Sequence, residues 1–190
     1  MTTHCGGKYM NRRRLLPQRR FPNYAYLPGR LPHPIRHPAG HSYQVEVIHP
    51  AADIDSEEFT WGCELFNHGY YWEAHEAWEG IWQVADKGSR LRSLLKALIL
   101  LSAAGVKIRE GKHTPAMRHA GRAAGLLREL TTSRDERFVR ALAMEPSAIA
   151  DAAEATARTL PVLSVSALGK PEPVFDFILA DHQSVRSTAP

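Results

Sequence analysis

"NHGYYWEAHEAWEGIW", residues 67 to 82, decides how the chain is read, because its aromatic and apolar residues recur at a helical rather than an alternating period. At about 100° per residue, Tyr71, Ala74, Ala77, Trp78, Ile81 and Trp82 share one apolar face. His75 and Glu79 follow one turn apart on the edge of that face, with Trp72 and Glu76 beyond them. Glu73 is expected to point most nearly to solvent, and Trp78 and Trp82 to anchor the core. Asn67, His68 and Gly69 form a glycine stop for a preceding helix, so the stretch opens a second one.

Outward from here the punctuation stays helical. Ser56 can cap a first helix whose opening turn carries Glu57 and Glu58, suited to the helix dipole. Helices are predicted at 56–67, 70–84, 90–110 and 115–131, the last opened by a Thr114 cap and Pro115, with shorter ones at 135–144 and 147–159. The run "LLKALILLSAAGV", 94 to 106, is too short for a membrane span and carries Lys96, so it reads as a helix covered on several sides. Nothing suggests a sheet. The expected fold is all-α, an antiparallel multi-helix bundle over 51–160, with an extended C-terminal segment over 161–190 in which "PVFDFILA", 173 to 180, lies along the bundle.

The N-terminal region differs in kind. Residues 1–50 hold seven of the thirteen prolines, and residues 1–45 hold eight Lys and Arg with no acid. This predicts an irregular, Pro-rich extension, disordered over its first 20 residues, with Arg12 to Arg14 as a solvated charge run. The remaining residues carry 16 basic and 20 acidic side chains, so the pI near 9 belongs to the extension and no nucleic-acid-binding core is indicated. No apolar signal segment opens the chain, and two cysteines make no disulfide framework; a reducing cytoplasm is the expectation. The sequence selects no partner and is compatible with self-association.

The chemistry-bearing residues gather on the second helix. His75 and Glu79 at i and i+4 can hold one divalent metal ion, with Glu76 as third ligand or as a general base. The match is incomplete, because the zinc-protease pattern needs a second histidine where Glu79 stands, and the Glu-x-x-His pairs Glu46–His49 and Glu110–His113 fall in predicted loops. Completion could come from the segment "LPHPIRHPAGHSY", 31 to 43, folding over the bundle to present a histidine such as His37 or His41. Trp72 and Tyr71 are the expected ligand-contacting aromatics. Two functions follow: a metal- or small-molecule-binding domain in which His75, Glu76 and Glu79 support metal-assisted hydrolysis or acid–base chemistry, or a non-catalytic binding or scaffolding module in which they are structural.

"ELFNHGYYWEAHEAWEGIW" (64–82), "LLKALILLSAAGVKIREGK" (94–112) and "AMRHAGRAAGLL" (116–127) together resemble the family called domain of unknown function 309. Phe66, Asn67, Gly69, Tyr71, Glu73, His75, Glu76, Glu79 and Trp82 stand in matching places, and the resemblance covers about residues 55 to 131. The lead-in ending "GHSY" is similar to the N-terminal extension of some members. Leu100 departs from the pattern, since many members have Leu-Ile-Gln where this chain has Leu98, Ile99 and Leu100. The resemblance implies a compact antiparallel helical bundle and carries no established activity.

Overall fold

The computed structural model describes residues 12–45, 51–132, 135–159 and 168–182. Six helices occur in the described residues: α1 Glu57–Asn67, α2 Tyr71–Val84, α3 Arg90–Arg109, α4 His113–Thr131, α5 Glu136–Leu142 and α6 Pro146–Thr159. No strand occurs among them. Loops of three to five residues reverse the chain between α1, α2, α3 and α4, so neighbours in sequence pack side by side, and α6 closes against α4. The fold class expected from the periodicity is the one observed.

Local chemistry sets most of the helix ends. Ser56 accepts a hydrogen bond from the Phe59 N–H at 3.1 Å, and Ser89 accepts one from Arg92 at 3.1 Å. Gly69 and Gly111 take positive φ after α1 and α3. Thr114 is not the cap of α4: the helix starts at His113, after Lys112, which makes no side-chain cap bond.

The core lies between α2, α3 and the elements on either side. Trp78 is fully buried and its indole N–H donates to the Phe59 carbonyl at 3.3 Å. It passes over Gly62, where a Cβ would stand 2.3 Å from Nε1. Tyr71 likewise rests on Gly105, where a Cβ would meet the ring at 2.6 Å, so α1 and α3 approach α2 closely because two glycines allow it. Trp82 is only partly buried, with the Arg92 guanidinium 3.9 Å above its ring, since α2 runs past the end of the core there.

Both termini of the described chain are bound to this core. Arg12 to Arg20, expected to be disordered, lie against the bundle: Glu64, fully buried on α1, pairs with Arg14 and accepts from the N–H groups of Leu15 and Leu16 at 2.5 and 2.6 Å. Arg12 donates to the carbonyls of Asn67 at 2.7 Å and Phe175 at 2.5 Å, so it is no solvated charge. The physical reason is the need of a buried carboxylate for donors, which the acid-free N-terminal segment supplies. Residues 1–11 lie outside the described residues. The C-terminal segment runs along the bundle as expected over 173–180. Asn67 binds both the N–H and the carbonyl of Leu179 at 2.8 Å, the Tyr71 hydroxyl accepts from the Val174 N–H at 2.7 Å, and Phe175 stacks on Phe66. The expected extended course over 161–167 falls outside the described residues.

Candidate functional site

Because α2 is helical throughout, His75, Glu76 and Glu79 emerge from adjacent positions of its surface. One ligand atom from each lies within 4.8 Å of the other two. His75 Nε2 and Glu79 Oε2 are 3.8 Å apart, close enough to share a charge but too far for a hydrogen bond. All three side chains are partly buried. Glu46 and His49 lie outside the described residues, and His113 sits at the start of α4 with its Nε2 near the Arg158 carbonyl.

The surroundings shift two of these groups. Burial pushes the Glu76 carboxyl up to about 7, aided by the negative charges of Glu79 and Glu73 and opposed by Arg36. Burial also lowers His75, with Glu79 working against that and Lys96 with it. The histidine is therefore biased toward the neutral form, in which a ring nitrogen keeps a lone pair.

Trp72 is partly buried and stands edge-on to Tyr26 and His33, with ring centroids 5.3 and 5.4 Å away. With Glu76 and Glu73 it lines a cleft of about 380 Å³ between the N-terminal extension and the α1–α2 pair. Neither His75 nor Glu79 lines that cleft, so the cluster and the cleft meet only at Glu76. A second cleft of about 570 Å³, beside Arg13, Phe59 and Arg140, contains none of the three cluster residues.

Several expectations need correction. Tyr71 has almost no exposed surface to offer a ligand: it is 1% exposed, enclosed by Gly105, Phe66 and Phe175, and burial raises its hydroxyl to about 12. Glu73 does not face solvent: it is 6% exposed, and its Oε1 accepts from the Tyr26 N–H at 2.9 Å and meets His41 Nε2 at 3.2 Å. The histidine-bearing segment does fold over α2, yet it brings His41 to Glu73 rather than to His75. His37 is exposed, its Nδ1 accepting from the Ala39 N–H at 3.0 Å, and joins no metal-ligating cluster among the described residues. A helical wheel of α2 alone shows none of this, because the face that carries Glu73 is covered by chain some 30 to 50 residues earlier. The usable signal was the charge division itself: an acid-free extension facing a helix with three glutamates, Glu73, Glu76 and Glu79.

Residues 59–119, from the first turn of α1 through α3 to the start of α4, match a family model described as Domain of unknown function (DUF309). This segment is similar to the DUF309 family. It contains the whole His75, Glu76 and Glu79 cluster together with Trp72 and Glu73. Leu100, within the matched segment, is buried in α3 and brings no polar group there. No curated protein and no solved structure matches the chain.

Proposed function

We propose that the protein is a divalent-metal-binding helical domain, with His75, Glu76 and Glu79 as ligands from the protein. The observation that carries this is the mutual approach of an imidazole nitrogen and two carboxylates within 4.8 Å on one helix, partly buried and unbridged by a close hydrogen bond. Nitrogen and oxygen donors in this mixture suit zinc, manganese or iron. Three ligands from one face leave further positions of the ion to water or substrate, which is the arrangement that metal-assisted hydrolysis requires. Glu76 borders both the cluster and the cleft, so it is the group suited to exchange a proton with a molecule bound there.

The competing reading is a scaffold in which His75 and Glu79 only steady α2. The two readings part on Glu79→Gln. Metal analysis of protein purified without a histidine tag, followed by calorimetric titration with zinc and manganese, should show binding to the parent chain and at least about a tenfold loss in the variant. Equal affinity in both proteins, or no binding to either, would establish the scaffold.

A further inference from the structure

The 380 Å³ cleft holds a feature that the metal reading does not use. Glu73 lines it, and the Glu73 side chain is only 4% exposed. Its Oε1 is engaged twice, by Tyr26 and by His41, while its Oε2 is buried and has no hydrogen-bond partner among the described residues. Native proteins rarely leave a carboxylate oxygen in that condition, because a buried acceptor without a donor costs the full desolvation of that atom. A molecule in the cleft with an N–H to give would satisfy it.

The walls say what else that molecule contains. Ile35 and Val45 from the extension, Leu65 and Trp61 from α1 and Trp72 from α2 make the cleft largely apolar, and its volume lies in the range of small-molecule sites. Its charges favour a cation. Arg19 is already held over the Trp61 ring at 4.5 Å and by Glu58 at 3.4 Å and Glu57 at 3.7 Å. Glu73 and Glu76 are left as the carboxylates of the interior. Ser42 Oγ lies 2.9 Å from His41 Nδ1 and Glu73 Oε1 lies 3.2 Å from His41 Nε2, so both ring nitrogens of His41 are engaged and neither reaches Glu73 Oε2. Indole faces in turn attract an ammonium and pack its methylenes.

We infer that this cleft binds a primary ammonium carried on a short apolar chain, with the ammonium donating to Glu73 Oε2 and the chain lying between Trp72, Trp61 and Leu65. The cleft shares Glu76 with the proposed metal cluster, but its key acceptor is Glu73, which is not a ligand of that cluster.

The test compares hexylammonium with hexanol and hexanoate, three probes of matched length, by indole fluorescence and calorimetry on the full chain in EDTA. Hexylammonium should bind saturably and about tenfold or more tightly than hexanol, the advantage expected of a charge-assisted hydrogen bond, with hexanoate weakest. Glu73→Gln should bring the ammonium and the alcohol within about twofold of each other. If that variant does not fold, Ala77→Met, which fills the cleft from the α2 side, should abolish binding of all three probes. Equal affinity for alcohol and amine in the parent chain, or a preference untouched by either variant, overturns the inference. Because EDTA removes metal from every arm, a failed metal reading leaves this result intact, and the converse also holds.

Discussion

At the scale of single residues, Glu76 carries the most readable consequence. Its carboxyl is pushed up from 4.5 to about 7 in the folded chain, first by burial and then by the charges of Glu79 and Glu73. The folded state therefore holds the proton more tightly than the unfolded state does. The corresponding stability is fully present below about 4.5 and is lost as pH rises through about 7. Glu76→Gln removes the cost of charging this group. The variant should equal the parent near pH 4.5 and exceed it at pH 8 by about 1 to 2 kcal/mol, after allowance for solvent screening of a partly exposed side chain. Urea titrations of both proteins across that range check the difference, and a constant offset would show that the carboxyl titrates normally. Metal affinity should move the opposite way, tightening from pH 6 to pH 8 as Glu76 gives up its proton.

Among the elements, the segment from Arg12 to Arg20 acts as a strap. Glu64 is buried and holds Arg14 and two backbone N–H groups of this segment, and Leu15 and Leu16 pack against the core. Removing residues 1–20 leaves Glu64 without those partners. A loss of about 3 kcal/mol is expected, the scale on which breaking a buried ion pair destabilises. Denaturant midpoints of the truncated and full chains measure it. In the truncated chain Glu64→Gln should then cost almost nothing further, since partners that act together are not additive. The strap also marks the limit of what the sequence disclosed. Ser56 and Gly69 announce helix ends because their bonds close within four residues, and the period of α2 announces its Trp78 face. Glu64 and Glu73 gave no local sign, because their donors stand roughly fifty residues away in a proline-rich segment without periodicity. His75, Glu76 and Glu79 were legible together because helical spacing alone brings them near one another.

For the whole molecule, the DUF309 match and the folding unit have different extents. The match covers residues 59–119, and helical periodicity reaches residue 159, yet neither range contains the chain that seals the face of α1 and α2. Val174, Phe175 and Leu179 are 2% exposed or less, and Phe177 is 9% exposed. Phe66 stacks on Phe175 at 5.3 Å and on Phe177 at 5.8 Å, and Asn67 has its two side-chain partners in Leu179. Burying each of these four apolar side chains is worth about 1.5 to 3 kcal/mol before the entropy of ordering the segment is subtracted. Their sum is comparable with the whole stability of a typical domain, about 5 to 15 kcal/mol. Residues 51–160 should therefore keep most of their helix when expressed alone but lose fixed packing. The expected result is a retained far-ultraviolet helical signal, a weakened near-ultraviolet signal from the tryptophans, strong binding of a hydrophobic dye and no sharp thermal transition. Extending the piece to residue 182 should restore part of the cooperativity, and adding residues 12–45 the remainder, because Arg12 joins the Asn67 and Phe175 carbonyls and so ties strap, bundle and C-terminal segment together. A sharp transition in 51–160, within a few degrees of that of the full chain, would mean that the helices alone are the folding unit and that both flanking segments merely rest on it.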